Sequence, residues 1–95
     1  MLIRYFSDIR ELTGEDERRW NRPAATLGEL LSDLSEVYGP CFAQSVFDGN
    51  GGMQLSESVI VLINGHDVRH RGAGNAPLCQ DDTVAIFPVF AGGNS

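Results

Sequence analysis

Apolar residues recur along this chain with two different periods, and the changes of period divide it into elements. Met1 to Phe6 carries strand-type residues. In Ser7–Thr13, Ile9 and Leu12 stand three apart, which predicts a short helical turn ending at Gly14. Glu15 to Trp20 is polar with one large aromatic at its end and reads as an exposed second strand paired with the first. The next segment changes to helical spacing: Leu27, Leu30, Leu31, Leu34, Val37 and Tyr38 form one stripe on a helix over 27–38. Thr26 is placed to cap it, with Glu29 three residues on completing a capping box. Gly39 and Pro40 supply a stop. Phe42, Val46 and Phe47 give the stretch from Cys41 to Ser58 little apolar content, and Asp48-Gly49-Asn50-Gly51-Gly52 reads as a turn or loop. Val59–Ile63 is a continuous apolar run, β-branched but for Leu62, and reads as a central strand covered on at least one face. Asn64-Gly65 turns the chain. His66 to Arg71 fits a short edge strand, Gly72 to Asn75 a loop, and Thr83–Phe87 a final strand that Pro88 ends or edges.

Strand, strand, helix, strand, short strand, strand predicts an α+β fold, one amphipathic helix on one mixed sheet. The expected division is a folded unit over 1–88 and a tail over 89–95.

Composition narrows the function more than the fold. With 95 residues and 42% apolar content the chain supports one thin core. No apolar run approaches the roughly 20 residues of a membrane helix, and the first residues lack signal-peptide order, so the expected setting is cytoplasmic, away from membranes. Net charge is −6, which disfavours a nucleic-acid partner. All seven positive residues are arginine. Without lysine the chain cannot accept an isopeptide bond on its own side chains. Cys41 and Cys79 form no Cys-x-x-Cys pair and read as buried or half-buried thiols.

Several motifs lose to simpler readings. Asp48 to Gly52 fails as a calcium loop, because Gly52 stands where a third oxygen ligand belongs and Met53 where the glycine belongs. His66 and His70 lack an obvious third ligand, so no metal site is expected. Neither cysteine and none of Ser7, Ser32 or Ser35 sits in a nucleophile context. The chain therefore reads as a substrate or carrier, with no catalytic residues of its own. The remaining feature is Gly92-Gly93. A terminal carbonyl that must enter another protein's active site passes most easily on residues without Cβ atoms.

Three segments carry a family resemblance. Phe6-Ser7-Asp8-Ile9-Arg10-Glu11-Leu12-Thr13-Gly14 resembles the Phe-Ala-x-x-Arg-Glu-Leu-x-Gly segment of the MoaD group, the small subunits of molybdopterin synthase. Val61-Leu62-Ile63-Asn64-Gly65 resembles that group's central strand and turn. Pro77-Leu78, Asp82 and Val84-Ala85-Ile86-Phe87-Pro88-Val89-Phe90-Ala91-Gly92-Gly93 resemble its ending. The resemblance to the MoaD/ThiS type of ubiquitin-like sulfur carrier implies a β-grasp fold, with four to five strands on one main helix.

It also implies a working cycle. A MoeB- or ThiF-type enzyme, using ATP and Mg, adenylates Gly93. A sulfur donor converts the adenylate to a thiocarboxylate, with Gly92 giving reach. A MoaE-like large subunit or another acceptor then takes the sulfur. Phe87, Pro88, Val89, Phe90 and Ala91 are expected beside the partner, and no cofactor is expected on the carrier itself. Asn94-Ser95 follow the glycines, so either a JAMM-type metallopeptidase trims them or this copy is inactive. Phe90 replaces the usual valine and Val89 the second proline, and Gln80-Asp81 replaces Asp-Gly before the last strand. Molybdopterin assembly is the leading destination. Carriers for thiamine, cysteine, homocysteine or another metabolite, and a β-grasp binding or tagging module, are the alternatives.

Overall fold

The computed structural model describes residues 1–47 and 55–89. Five strands form one mixed sheet: β1 (Leu2–Tyr5), β2 (Glu17–Arg19), β3 (Val59–Ile63), β4 (His66–Asp67) and β5 (Thr83–Pro88), in the order β2-β1-β5-β3-β4. Helices α1 (Ser7–Thr13), α2 (Leu27–Tyr38) and α3 (Pro40–Val46) complete the layers, with short 3-10 turns at Val68–His70 and Ala73–Asn75. β1 and β5 pair in parallel; the other neighbours are antiparallel. This is the β-grasp arrangement, the mixed sheet and main helix expected from the sequence.

Alternation along the strands sorts the sheet into two faces. Ile3, Tyr5, Val59, Val61, Ile63, Val84 and Ile86 point to the buried face, where they meet Leu27, Leu30, Leu31 and Leu34 of α2 in one core. Val37, placed in that stripe by its spacing, is instead 44% exposed, because the stripe turns away from the sheet in the last helical turn.

α2 starts as its capping residues dictate. The Glu29 amide donates to Thr26 Oγ1 at 3.3 Å, and Glu29 reaches back to accept from the Ala25 amide at 3.2 Å. Gly39 ends it at φ 98°, a left-handed conformation that favours glycine. Pro40 then acts as a start as much as a stop. Its fixed φ suits the first position of a helix, and α3 runs on from it to Val46 with Phe42 and Val46 fully buried. The sequence pattern showed no helix there, since seven residues with two core positions give too short a period to detect.

Three further expectations are corrected. Trp20 is 4% exposed, not surface, with Arg18 and Arg22 stacked over its ring at 5.5 and 5.4 Å. Cys41 and Cys79 are both exposed, on the outward side of α3 and in the turn before β5. Of the segment His66 to Arg71 only His66–Asp67 is strand; the remainder turns as a 3-10 helix. The Asp48–Gly52 loop lies outside the described residues.

The turn after β3 and the turn before β5 are tied together. Asn64 (φ 53°) and Gly65 (φ 86°) form the left-handed pair of a two-residue hairpin. The Asn64 side chain donates to Asp82 Oδ1 at 2.9 Å and accepts from the Thr83 amide at 3.0 Å, while Asp82 Oδ2 accepts from the Cys79 amide. Asp82 thus holds the turn that enters β5, which explains how Gln80-Asp81 is accommodated before it.

A polar network crosses the open end of the core. Tyr5 Oη donates to Tyr38 Oη at 3.1 Å, and Tyr38 donates to Glu15 Oε2 at 2.9 Å. Arg18 donates to both Tyr38 and Glu15 at 3.3 Å.

Two stability predictions follow from this packing. Leu31→Ala, at a fully buried site, is expected to cost about 2–5 kcal/mol in urea unfolding; a midpoint equal to wild type would remove Leu31 from the core. Burial, then the Tyr38 hydrogen bond, raise the Tyr5 phenol well above its ordinary value of 10.0. A raised folded value means the native state holds the proton more tightly. Stability is full below the ordinary tyrosine range and declines as pH climbs beyond about 10. The chain has no lysine to obscure this limb. Unfolding free energy measured from pH 8 upward should fall above about 10 in wild type and fall less steeply in Tyr5→Phe.

Candidate functional site

The carboxyl end of β5 is where chain order, sheet order and apolar surface meet. In β5, Val84 and Ile86 face the core, so Ala85 and Phe87 face the other side of the sheet. Register places Ile60 across from Phe87 and Leu62 across from Ala85 on that open side, with Arg4 across from Ala85 on β1. The continuous apolar run of β3 thus serves both faces: Val59, Val61 and Ile63 fill the core, while Ile60 and Leu62 stay half-buried on the open face.

Phe6 joins this face from the end of β1. Its amide donates to the Ile86 carbonyl at 3.2 Å, continuing the parallel ladder by one bond. Ser7 then takes φ 55°, a left-handed turn uncommon for a non-glycine residue, and the chain swings into α1. Phe6 is left beside Phe87, the two rings stacked at 4.3 Å and only 7° from parallel. The Arg4 guanidinium covers the Phe6 ring at 5.5 Å and reaches Glu17 at 3.8 Å. Both ionic side chains are more than half exposed, so that pair adds little stability. The aromatic stack is worth about 0.5–1.5 kcal/mol beyond its area.

Pro88 fits because of the register. The Val89 amide donates to the Ser58 carbonyl at 2.9 Å, so the odd-numbered residues of β5 bond to β3. Pro88 therefore faces the β1 side, where β1 has already ended at Tyr5, and its missing N–H breaks no ladder bond. Val89 is 37% exposed and is the last described residue to bond to the sheet.

Of the residues singled out in the sequence, Phe87, Pro88 and Val89 are thus brought together at the end of β5. Phe90, Ala91, Gly92 and Gly93, with Asn94-Ser95, lie outside the described residues. Phe6, Ile60 and Leu62 were not anticipated as part of this surface. The available signal was the β3 run, which has no polar residue to give to an exposed face.

No group of three metal-capable side chains exists among the described residues. His66 and His70 are exposed, and between them Asp67 accepts from the Arg69 amide at 2.9 Å. No helix among the described residues is long and apolar enough to cross a membrane.

Comparison with known proteins agrees with this geometry. The ThiS family model matches residues 3–93. Small archaeal modifier protein 3 of Haloferax volcanii is 32% identical over 92 residues, 96% of each chain. Among solved structures, small archaeal modifier protein 1 of Methanosarcina acetivorans superposes with a TM-score of 0.81 at 25% identity, over 97% of this chain and 94% of that one. The Amycolatopsis orientalis BexX/CysO complex gives a TM-score of 0.76 at 27% identity, over 97% and 98%. A match across almost the whole chain, on a sheet whose last strand runs out beside an aromatic open face, places the protein: it belongs to the ThiS family of small ubiquitin-like carrier and modifier proteins.

Proposed function

We propose that this protein is a sulfur carrier acting through the carbonyl of Gly93 once the residues after it are removed, most directly in the assembly of molybdopterin for a molybdenum or tungsten cofactor. The observation that supports this best is the way β5 ends. Val89, the last described residue, still bonds to the sheet on the rim of the Phe6–Phe87 face, and the two glycines follow three and four residues later in the sequence. Four residues at full extension reach at most ~14 Å, enough to carry a carbonyl into a partner's active site while the face stays docked.

The chemistry belongs to the partners. A MoeB- or ThiF-type enzyme with ATP and Mg would join the Gly93 carboxylate to the α-phosphate and release pyrophosphate. The terminal sulfur of a persulfide donor would attack the acyl carbon and expel AMP. A thiol would then cleave the resulting S–S bond, leaving the thiocarboxylate on Gly93 and a disulfide on the donor. A MoaE-like subunit or another acceptor would receive the sulfur. Cleavage after Gly93 would fall to a JAMM-type metallopeptidase. Glycine suits both positions because a Cβ would widen the thread entering the adenylation site. Phe87, Pro88, Val89, Phe90 and Ala91 would form the docking segment.

A second reading is favoured by the relatives named as modifiers. The same adenylate, attacked by a lysine amine of another protein, would attach the chain as a tag. The lysine-free chain could not then extend itself through its own side chains.

Intact mass separates these outcomes. A chain ended at Gly93, mixed with the activating enzyme, ATP and a persulfide donor, should gain the mass of one oxygen replaced by sulfur. Adducts joined to other proteins' lysines, without thiocarboxylate, would favour the tag. Gly93→Ala should unfold in urea like wild type yet fail to load; appreciable loading of that variant would refute the threading requirement. Phe87→Ala removes the aromatic stack and should lower kcat/KM for loading about tenfold through KM, with kcat held. Equal kcat/KM would take the open face out of docking.

A further inference from the structure

β2 is an edge strand, and the ladder fixes which of its groups face outward. The Tyr5 amide donates to the Asp16 carbonyl at 2.9 Å, the Trp20 amide donates to the Met1 carbonyl at 2.8 Å, and Ile3 stands across from Arg18. Even-numbered residues of this stretch therefore bond to β1. By alternation, the N–H and C=O groups of Glu17 and Arg19 point away from it. Those groups have no partner among the described residues.

The side chains follow the same alternation. Glu17 and Arg19 lie on the open face, across from Arg4 and Leu2, and both are exposed. Glu17 is 3.8 Å from Arg4, whereas Arg19 has no carboxylate within 4.0 Å among the described residues. Arg18 points to the helix side, where it donates to Glu15 and Tyr38 and covers the Trp20 ring.

Charges on a short edge ordinarily guard it, because an added strand brings them against like charges. One arrangement here does the reverse. When two β2 strands meet antiparallel and centred on Arg18, Glu17 of each copy stands across from Arg19 of the other. In that register Glu17 and Arg19 also exchange both backbone bonds, since the groups of both point outward. Arg18 meets Arg18, but each guanidinium is already held against its own Glu15.

We infer that the β2 edge is a self-pairing surface whose partner is a second copy of this chain, joined about a two-fold axis at Arg18. The patch is isologous, as a two-fold interface requires. A three-residue edge makes a small interface, so the dimer is weak and depends on concentration. The axis sets β5 of the two copies in opposite directions. Both Phe6–Phe87 faces stay open, and the pairing is independent of how Gly93 is used.

Sedimentation velocity of the full chain, from about 10 μM to about 1 mM, tests this. Wild type should shift reversibly from monomer to dimer across the range. Arg19→Glu places like charges across the interface twice and should weaken the dimer about tenfold. Arg19→Pro removes an outward N–H without touching the β1 ladder and should abolish it. Glu17→Arg should weaken the dimer as Arg19→Glu does, and the double variant Glu17→Arg/Arg19→Glu should recover to within about threefold of wild type. The last two share the altered contact with Arg4, so their difference reports the cross-copy pair alone. Urea midpoints confirm that each variant is folded. A wild type that stays monomeric, a dimer indifferent to Arg19→Glu and Arg19→Pro, or a double variant no better than Glu17→Arg would overturn the pairing.

Discussion

The parallel pairing of β1 with β5 is the constraint on which the rest of the molecule depends. It places the first and last strands side by side at the centre of the sheet, and parallel neighbours must run out at the same end. β1 has a short onward path, through the left-handed Ser7 into α1; β5 continues past it to Val89. The surface around the end of β5 is therefore assembled from both ends of the sequence, Phe6 from one and Phe87 from the other. The pairing is non-local, so it costs loop-closure entropy that only core burial can offset. Ile3, Tyr5, Val84 and Ile86, all at most 2% exposed, lie on these two strands and supply much of that burial.

Sequence reading succeeded where a residue's local role and its tertiary role coincide. α2 was legible because Thr26, the leucine stripe and Gly39 each specify the same boundaries that packing enforces. β3 and β5 were legible for the same reason, through branched residues and the Asn64-Gly65 turn. It failed where a residue answers to a distant neighbour. Trp20 follows a run of charges and looks exposed, yet the edge strand β2 ends by folding it under the sheet, and Arg18 and Arg22 take up its ring faces. Pro40 was read as a stop because proline cannot continue a helix, although the same fixed φ favours starting one. The exposed thiols Cys41 and Cys79 run against the general preference of cysteine for the interior, and nothing in their flanking residues signals it. Of the candidate site, Phe87, Pro88 and Val89 were legible from the ending, whereas Phe6, Ile60 and Leu62 join it only through register.

Charge is organised on the same lines. Arginine is the sole cationic side chain, and four of the seven are committed to nearby carboxylates or aromatic faces on β1, β2 and the adjoining helix and loop. Its planar group both stacks and donates, which suits Arg18 to bridging Tyr38 and Glu15 while covering Trp20. These pairs are largely exposed and contribute little to stability individually. Among the described residues, Arg19, Arg69 and Arg71 are left without a carboxylate within 4.0 Å.

A carrier differs from an enzyme in what its fold must hold rigid. An enzyme fixes reacting groups against one another; here none of the described side chains forms a nucleophile with its base. What is fixed instead is the carboxyl end of β5, up to Val89. The Val89–Ser58 bond, the Phe6–Phe87 stack and the Arg69–Val59 bond all lie at that end, on three different strands and the turn after β4. Each uses a group the sheet would otherwise leave unsatisfied or bare: a backbone amide beyond the last strand, an aromatic face without a covering helix, and a carbonyl on a strand edge. Satisfying them locally keeps the end of β5 in register beside the open face. The geometry of this end resides in the relation between β5, the open face and the neighbouring strand edge, which the β1–β5 pairing sets and which no single residue carries.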